Sequence, residues 1–412
     1  MKSTNQEKKN IVIAGGGFAG VRAALDLDNY LHDNRDYEII LIDRKNYQTY
    51  QSGLYEAATT EHAFVGAKKV KRTVAIPFSD IFGKTRVKVL EAYIDRIDTK
   101  SGRVITDARI VPFEYLVIAM GSVADFYDIK NLDKFGFTLK TLEDAMMIRN
   151  RIEEIVTKKD EARIVVGGAG FAGTEFAGEL HNLLKQECRQ HEKNPDNFKI
   201  TLVEAATGFL PGLSEKVSAI VGNRMIQMGV ESKFATRITE AAGDHVVLNM
   251  KEKLDCDLLI WTGGVRSVRL PLDCELVQDS KDRTLTRSVL NLENYPRIFI
   301  AGDNLGFIDP KTKKSVPQTA QEAINQAKTV ARNIYRQIRG KPAASYIPGP
   351  IRYIIPASGK FAVLYSPNLI VAGFWGWVIR KFADLQYFFS VLPLYKALAY
   401  WLFENKIFMK ND

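Results

Sequence analysis

Two short runs of β-branched apolar residues, at 11–14 and 164–166, stand out in the hydrophobic pattern of the chain. Each run is followed by a glycine-rich turn and then by apolar residues at helical spacing. In the second copy this spacing is kept by Phe176, Leu180, Leu183 and Leu184. Short apolar runs predict buried strands of a parallel sheet, and the periodicity of three to four residues predicts a helix packed on that sheet. We therefore predict an α/β fold that contains two strand–turn–helix units.

Both turns have the spacing Gly-x-Gly-x-x-Gly, with Gly15, Gly17 and Gly20 in the first and Gly168, Gly170 and Gly173 in the second. The first glycine permits the tight turn, the second lets a pyrophosphate approach the backbone, and the third lets the helix pack closely on the strand. A later apolar run ends in Asp43 in one copy and in Glu204 in the other, where a carboxylate can bind a ribose hydroxyl. Two nucleotide sites in one chain predict electron transfer from one nucleotide to the other.

Later segments define the domain organisation. The run YPRIFIAGDN reads as a buried strand that ends in Gly302 and Asp303, and we predict that it returns to the first nucleotide domain. A long helix should follow, with Ala323, Ala327, Val330 and Ile334 on one stripe. The predicted division is a discontinuous domain of residues 1–122 and 290–340, a second domain of 123–289, and a C-terminal segment of 341–412.

The C-terminal segment is rich in aromatic residues. Pro367 and Asn368 predict a turn between the runs FAVLY and NLIVAG, which favours a β-hairpin over a transmembrane helix there. Beyond it, one predicted helical face contains Phe374, Val378, Phe382, Leu385 and Phe389, and cations are supplied by Arg380, Lys381, Lys396, Lys406 and Lys410. This pattern predicts amphipathic helices that lie in a membrane interface. The alternative is a pair of helices that packs in a core or in a dimer.

Composition narrows the class of protein. The chain has 412 residues and a formal net charge of +9, which suits an anionic membrane surface, and we find no nucleic-acid-binding motif. Three scattered cysteines, Cys188, Cys256 and Cys274, predict neither a disulfide framework nor a redox pair, and no cluster of ligands predicts a metal site. The polar N-terminus does not resemble a signal peptide.

The chain resembles the type II (alternative) NADH:quinone oxidoreductases. The resemblance rests on NYQTYQSGLYEAATT, YLVIAMGS, VVGGAGFAGTEFAGEL, VEAA, WTGGVR, FIAGDN and PQTAQEAINQA, which follow the family order. It implies two Rossmann-like domains of a flavoprotein. The FAD site would comprise Gly15, Gly16, Gly17, Phe18, Ala19, Gly20, Asp43, Arg44, Ile94, Ala119, Gly121, Asp303 and Ala320. The NADH site would comprise Gly168, Gly170, Phe171, Gly173, Glu204 and Gly263.

Three residues are implied at the reaction itself. Glu175 matches the family's acidic residue where nicotinamide meets flavin, and it would serve the quinone half-reaction as an acid and base or would orient groups there. Gln321 would contact quinone or flavin. The family's second glutamine is replaced by Asn325, whose shorter side chain changes the quinone site. The alternative for Glu175 is a helix glutamate satisfied by its neighbours, and for Gln321 a core-facing amide.

The predicted function is that of a peripheral enzyme at the cytoplasmic face of the cell membrane. It would transfer a hydride from NADH to FAD and then electrons to menaquinone or ubiquinone, without proton pumping. Ala205 and Ala206 follow Glu204 and offer no cation for a 2′-phosphate, which favours NADH over NADPH. A homodimer stays open. The alternatives are a soluble NADH oxidase or diaphorase, and a non-enzymatic flavin-bound sensor or interaction protein.

Overall fold

The computed structural model describes residues 8–62, 65–350 and 352–409. Its strands are β1 (Lys9–Ala14), β2 (Tyr37–Asp43), β3 (Tyr47–Thr49), β4 (Ala75–Pro77), β5 (Lys88–Glu91), β6 (Ile94–Asp98), β7 (Arg103–Thr106), β8 (Ile110–Pro112), β9 (Tyr115–Ile118), β10 (Ser122–Ala124), β11 (Gly136–Thr138), β12 (Ala162–Gly167), β13 (Phe198–Val203), β14 (Glu231–Lys233), β15 (Ile238–Ala241), β16 (His245–Leu248), β17 (Glu252–Asp255), β18 (Leu258–Trp261), β19 (Val265–Ser267), β20 (Thr284–Leu285), β21 (Ile298–Ile300), β22 (Leu305–Gly306), β23 (Tyr353–Pro356), β24 (Ala362–Ser366) and β25 (Leu369–Gly373). Its helices are α1 (Phe18–Tyr30), α2 (Leu54–Ala58), α3 (Ala67–Val74), α4 (Phe78–Phe82), α5 (Leu132–Phe135), α6 (Leu142–Lys158), α7 (Phe171–Gln190), α8 (Glu215–Gln227), α9 (Ala320–Ile338), α10 (Phe374–Val391) and α11 (Leu394–Phe408).

The chain forms two compact units, and each contains one of the glycine-rich turns. Unit 1 comprises Met1–Gln48, Ile76–Val123 and Val265–Pro350, and unit 2 comprises Thr49–Ala75, Ala124–Gly264 and Ile351–Asp412. Unit 2 therefore includes residues 49–75, which the predicted division assigns to the first domain. It also includes most of the C-terminal segment, which that division treats as separate. The assignment of FAD to one domain and NADH to the other stays a prediction.

Unit 1 is built on a five-stranded parallel sheet with the order β21-β9-β1-β2-β5. Strand β1 is central and fully buried from Ile11 to Ala14, as its unbroken apolar run predicts. Strand β21 pairs in parallel with β9, with Ile298 opposite Leu116, so its predicted return to this fold is confirmed. Helix α9 packs along α1, and the predicted stripe Ala323, Ala327, Val330 and Ile334 is buried. Unit 1 also contains a three-stranded antiparallel sheet, β6-β7-β8.

Unit 2 repeats this architecture with a second parallel sheet of order β11-β18-β12-β13-β14. Central strand β12 pairs with β13 on one side and with β18 on the other. Helix α7 follows β12, and the residues predicted to form its apolar face, Phe176, Leu180, Leu183 and Leu184, are all buried. An antiparallel sheet β15-β16-β17 contributes a small hydrophobic cluster around Val246, Leu248 and Trp261. The predicted second strand–turn–helix unit is confirmed.

The C-terminal part of unit 2 departs from the prediction in two respects. The predicted hairpin is formed by β24 and β25. A third strand, β23, pairs with β24, so the hairpin is part of a three-stranded antiparallel sheet. Helices α10 and α11 follow, and the prediction that Arg380 and Lys381 supply surface cations is wrong. Both residues are only 6% exposed, since each pairs with the buried carboxylate of Glu56 on α2. Lys410 lies outside the described residues.

The opposite face of these helices is apolar and exposed. Exposed large side chains on α10 and α11 are Phe374, Trp375, Phe382, Phe389, Leu394, Tyr395, Leu398 and Leu402. Among residues 8–62, 65–350 and 352–409, none of the helices has the length and hydropathy of a membrane span. The helix pair thus has a charged face turned inward and an apolar face turned outward.

Candidate functional site

The glycine-rich turn of unit 1 joins β1 to α1 and leaves an open approach to the helix N-terminus. Gly15 has φ +105, and a Cβ there would lie 2.3 Å from the carbonyl oxygen of Ala119. A Cβ on Gly20 would lie 1.8 Å from the carbonyl oxygen of Gly15, so both positions require glycine. A Cβ on Gly17, in contrast, would meet no atom within 4 Å. The space above Gly17 is therefore open, as the approach of a pyrophosphate requires.

The turn of unit 2 has the same geometry. Gly168 has φ +104, and its Cβ would lie 2.8 Å from the Cα of Gly263. A Cβ on Gly173 would lie 1.9 Å from the carbonyl oxygen of Gly168, whereas a Cβ on Gly170 would meet nothing within 4 Å. Gly263 itself lies against the indole of Trp261, where an added Cβ would come within 2.4 Å of the ring. Gly263 therefore packs directly against Gly168, and this predicted site residue lies beside the second glycine-rich turn.

The N-termini of α1 and α7 have no side-chain cap. Gly17 and Gly170 occupy the N-cap positions, and neither helix has an acidic residue in its first turn. By contrast, the N-termini of α6 and α8 are capped by the side chains of Thr141 and Ser214. An uncapped helix N-terminus next to open space is suited to bind an anion through its N–H groups and its partial positive charge.

Asp43 and Glu204 occupy corresponding positions beside the two turns. Asp43 accepts hydrogen bonds from the backbone N–H of Gly16 at 2.6 Å and of Lys45 at 2.9 Å. Glu204 accepts from the N–H of Ala169 at 2.7 Å and of Ala206 at 2.8 Å. Burial raises the pKa of Asp43, and these two N–H donors oppose that shift. Each acid is therefore fixed against its glycine turn.

Other predicted residues of the first site lie around the same sheet edge. The N–H of Ala92 donates to the carbonyl of Asp43 at 2.9 Å, which brings the segment leading to buried Ile94 beside that acid. Arg44 is exposed, and Ala119 is buried at the end of β9. An added Cβ on Gly302 would lie 3.3 Å from that of Ala19.

Asp303 is held on the turn that follows β21. Its carboxylate accepts a hydrogen bond from the hydroxyl of Ser122 at 2.5 Å, and Gln318 donates to its carbonyl oxygen at 3.0 Å. Asn304, which sequence reasoning missed, is fully buried and bonds both the N–H and the carbonyl of Gly121, at 2.9 and 2.8 Å. Asn304 thereby fixes Gly121 beside Asp303; the only sequence signal was its position after the Gly-Asp pair.

Gln321 and Asn325 lie in the first turns of α9, which begins at Ala320. Gln321 is exposed. Asn325 is partly buried, and its amide nitrogen donates to the carbonyl of Ile347 at 3.1 Å. Gln326, which did not look like a site residue, is buried and accepts a hydrogen bond from the N–H of Gly302 at 2.8 Å. The two predicted amides therefore differ in availability, because Asn325 is already engaged by the backbone.

Glu175 lies on α7 in a cluster of charged groups that the sequence did not reveal. Burial raises its pKa to about 8, and the carboxylates of Glu56 and Asp384 act in the same direction against the opposing charge of Arg380. At neutral pH the Glu175 carboxyl therefore retains a proton most of the time. Phe171, at the start of the same helix, packs against Tyr353 with 5.0 Å between ring centroids and an angle of 44° between the ring planes.

The cluster connects α2 with the C-terminal helices inside unit 2. Arg380 donates to Glu56 at 3.1 Å, and Tyr50 donates to Asp384 at 2.6 Å. Burial raises the pKa of Glu404 well above its usual range, with help from the charge of Asp384. Neither carboxyl oxygen of Glu404 has a hydrogen-bond partner among the described residues. Sequence reasoning missed Glu56, Asp384 and Glu404 and assigned Arg380 to the surface, because charged side chains normally indicate a solvent-facing surface.

The cysteines provide no redox pair. All three are free thiols, and burial raises the pKa of Cys188 to about 11 and that of Cys256 to about 12. A thiol attacks as its thiolate, so these groups are not poised for disulfide exchange. In the part of the chain that the structure describes, no group of three or more His, Cys, Asp or Glu side chains is arranged to hold a metal ion.

The residues of both turns fit dinucleotides. Open space lies at Gly17 and Gly170, both helices lack a side-chain cap, and an acid stands beside each turn. Unit 1 also contains a buried amide without hydrogen bonds. Gln48 is fully buried, and neither its amide nitrogen nor its amide oxygen has a hydrogen-bond partner among the described residues. Such a group usually signals a missing partner. The two units together define a protein with two dinucleotide folds.

Comparison with known proteins identifies the class. A family model described as pyridine nucleotide-disulphide oxidoreductase matches residues 9–327, and the chain belongs to this family. A Staphylococcus saprophyticus protein named type II NADH:quinone oxidoreductase is 28% identical over 352 residues, which cover 83% of this chain and 85% of the relative. A protein of the same name from Staphylococcus aureus is 29% identical over 352 residues, which again cover 83% of this chain and 85% of the relative. These relatives confirm the resemblance inferred from the motifs.

Solved structures show the same fold. NDH2 from Plasmodium falciparum in complex with NADH superimposes with a TM-score of 0.83 at 16% identity, over 98% of this chain and 99% of that one. The sulfide:quinone oxidoreductase from Aquifex aeolicus gives a TM-score of 0.75 at 17% identity, over 98% and 92% of the two chains. The likeness at these identities concerns the fold alone.

Proposed function

We propose that this protein oxidises NADH and reduces a membrane quinone through a bound FAD, as a type II NADH:quinone oxidoreductase that pumps no protons. The observation that carries the proposal is the doubled, uncapped glycine turn with its fixed acid, one copy in each unit. The curated relatives, 28% and 29% identical over 83% of the chain, have this name. Two nucleotide folds in one chain supply what transfer between a nicotinamide and a flavin needs.

Unit 1 holds FAD in this proposal. The N–H groups at the start of α1, around Gly16 to Gly20, bind the pyrophosphate, and Asp43 binds the adenosine ribose. Arg44 and Ile94 would lie near the adenine, Asp303 would bind the ribityl chain, and Ala320 would lie near the isoalloxazine. FAD bound there would supply the two-electron chemistry that links oxidation of NADH to reduction of the quinone, which also takes up two protons.

Unit 2 holds NADH in the same manner. The start of α7, from Gly168 to Gly173, binds the pyrophosphate, and Glu204 binds the adenosine ribose. The carboxylate of Glu204 would repel a 2′-phosphate, and neighbouring Ala205 and Ala206 offer no compensating cation. NADH is therefore the preferred donor over NADPH.

Glu175 and Gln321 serve the quinone half-reaction. Quinone reduction consumes protons as well as electrons, and the raised pKa of Glu175, about 8, keeps a proton on its carboxyl at neutral pH. Gln321 is exposed on α9 and offers its amide to a quinone carbonyl. Asn325, the other predicted residue, donates to the carbonyl of Ile347. It would therefore affect the quinone indirectly, by fixing the position of the backbone at Ile347.

The exposed apolar face of α10 and α11 supports a peripheral position on the membrane. Trp375 is 67% exposed, Phe382 61% and Leu402 59%. Such a patch of large apolar side chains on a surface normally marks an interaction site. We place the protein on the cytoplasmic face, where NADH and the quinone pool are both available. The alternative occupant of this face is a second copy of the chain, which would make the protein a homodimer.

A soluble NADH oxidase or diaphorase is the competing enzyme, and a flavin-bound sensor the competing non-enzyme. Stopped-flow measurement of the two half-reactions separates them. We expect Gln321→Ala to slow reoxidation of the reduced flavin by quinone at least about tenfold, a loss of roughly 1.4 kcal/mol, and to leave flavin reduction by NADH unchanged. Rapid reoxidation by oxygen with none by quinone would indicate the oxidase, and no reduction by NADH would indicate the sensor.

A further inference from the structure

A proline-containing strap in unit 1, residues 341–349, runs back along α9 after that helix ends. Side chains of α9 hold its backbone at intervals. Asn333 bonds both the N–H and the carbonyl of Ala344, at 2.8 and 2.9 Å, and Asn325 donates to the carbonyl of Ile347 at 3.1 Å. The strap is therefore fixed along the helix face that contains Asn325 and Asn333.

Glu322 holds the far end of the strap. It occupies the third position of α9, where a glutamate normally reaches back to the N-cap backbone N–H. Here the N–H of Thr319 donates to Pro317 instead, and Glu322 is buried. Its carboxylate accepts hydrogen bonds from the hydroxyl of Tyr346 and from the N–H of Gly349, the latter at 3.0 Å. Glu322 therefore lacks the usual capping contact with its own helix and instead binds Tyr346 and Gly349, which come later in the chain. Such a departure from the local pattern is typical of a residue with a positioning role.

Three polar side chains of α9 surround Gly349. A Cβ on this glycine would lie 2.8 Å from a carboxylate oxygen of Glu322, 3.6 Å from the amide nitrogen of Asn325 and 3.8 Å from that of Gln321. Next to this point the side chain of Ile347 is 68% exposed. The strap thus accepts one N–H of the Asn325 amide, and it exposes the side chain of Ile347 two residues before Gly349, the residue that lies beside Gln321.

We propose that Glu322 and Tyr346 are positioning residues of the quinone site, which hold the strap so that one amide, that of Gln321, recognises one quinone carbonyl beside the apolar side chain of Ile347. This inference rests on the proposed function and deepens it. Quinone affinity would then depend chiefly on one carbonyl and on the apolar ring substituents, because one N–H of the Asn325 amide is already donated to the strap.

The test uses the FAD-loaded protein and a short-chain menaquinone analogue. Tyr346→Phe removes the hydroxyl but keeps the ring, which packs edge-on against Phe307 at 5.0 Å, so the fold should survive. We expect the quinone KM and the equilibrium Kd of the analogue to rise by about 3- to 10-fold, with kcat and the rate of flavin reduction by NADH unchanged. Glu322→Gln, which can still accept one hydrogen bond, should give a smaller rise.

Matched controls separate positioning from general damage. Tyr335→Phe makes the same chemical change near the other end of α9, where Tyr335 stacks on Tyr30, and should leave the KM unaltered. Asn325→Ala combined with Tyr346→Phe should cost no more than the larger single change, because both loosen one strap. Additive losses would overturn the inference, since Asn325 would then bind quinone independently. An unchanged KM in Tyr346→Phe would overturn it too, whereas a wild-type protein that reduces no quinone would overturn the proposed function itself.

Discussion

At the residue scale, the same four-part device occurs twice in the chain. A glycine with φ near +105 makes the turn, a second glycine faces open space, a third packs on the first, and an acid accepts one backbone N–H of the turn. The sequence predicted the glycines and the acids because each role excludes almost every other residue type. It could not predict that Asp43 and Glu204 bind the turn itself, since that contact depends on strand pairing.

The open glycines permit a clean substitution test. Gly17 and Gly170 have negative φ values, −76 and −72, and open space at the Cβ position, so valine should not disturb the fold. We expect Gly17→Val to yield folded protein without FAD. Gly170→Val should retain FAD and weaken NADH binding at least about tenfold, because the side chain blocks the pyrophosphate. The ratio of flavin to protein absorbance and an NADH titration measure both.

Gly66 provides the control. It is also an N-cap glycine with open space around its Cβ position, on helix α3, but lies in no nucleotide turn. Gly66→Val should bind both nucleotides normally. Full FAD occupancy in Gly17→Val would mean that the first turn is not the flavin site.

At the scale of elements, α10 has two opposite roles. One face buries Arg380, Lys381 and Asp384 among the groups of α2 and α11, and the other exposes Trp375, Phe382 and Phe389. Removing Arg380 alone would leave Glu56 without its main partner, and breaking such a buried pair typically costs about 3–5 kcal/mol. The helix therefore belongs to the folded core of unit 2 and cannot be deleted without damage.

Glu404 gives α11 a pH dependence that can be measured. Its folded pKa lies well above 4.5, so between these two values the folded state binds a proton that the unfolded state releases. Folding stability due to this group is present at low pH and is lost as the pH rises, by up to about 1.4 kcal/mol per pH unit. We expect Glu404→Gln to flatten the fall of the urea midpoint as the pH rises above the ordinary pKa of a glutamate.

The exposed Glu252 on β17 is the comparison for this effect. Glu252→Gln changes the same chemical group at the surface of unit 2, where it pairs with Lys233, and should leave the pH slope as in the wild type. If Glu404→Gln retained the full wild-type slope, the carboxyl of Glu404 would not be the group that holds the proton.

The sequence predicted elements well where the signal was local and poorly where it was distant. The two parallel sheets, α7 and α9 follow from apolar periodicity within a few residues. The inward charges of α10 do not, because Arg380 is paired with Glu56 across most of the chain and a charge in isolation indicates solvent. The roles of Asn304 and Gln326 could not be predicted for the same reason. Their hydrogen-bond partners, Gly121 and Gly302, come next to them only after folding.

At the scale of the whole molecule, the proposal that the protein acts at a membrane rests on the exposed aromatic face of α10 and α11. Full burial of one exposed large apolar side chain is worth roughly 1.5–3 kcal/mol, and the outward side chains of α10 and α11, which are 39% to 68% exposed, would each gain a part of this on entering a membrane interface. We expect the protein to bind anionic liposomes, to remain bound at high salt and to be released by detergent. Replacing Trp375, Phe382, Phe389 and Leu402 with serine should abolish liposome flotation and leave FAD and NADH binding intact.

A second set of substitutions controls for hydrophobicity in general. Met147, Ile226 and Met250 are exposed apolar residues elsewhere in unit 2, between 51% and 82% exposed. Their replacement by serine should not affect flotation. Flotation by the fourfold variant would place the membrane-binding surface elsewhere, and a change from dimer to monomer in that variant would identify the face as an interface between two copies.

The most direct measurement follows the electrons through the purified, FAD-loaded protein under anaerobic conditions. One equivalent of NADH should bleach the visible flavin absorbance, and one equivalent of a menaquinone or ubiquinone analogue should restore it with formation of quinol. NADPH should bleach it much more slowly, because Glu204 repels the 2′-phosphate. A flavin that NADH reduces but that quinone does not reoxidise would contradict the proposed function.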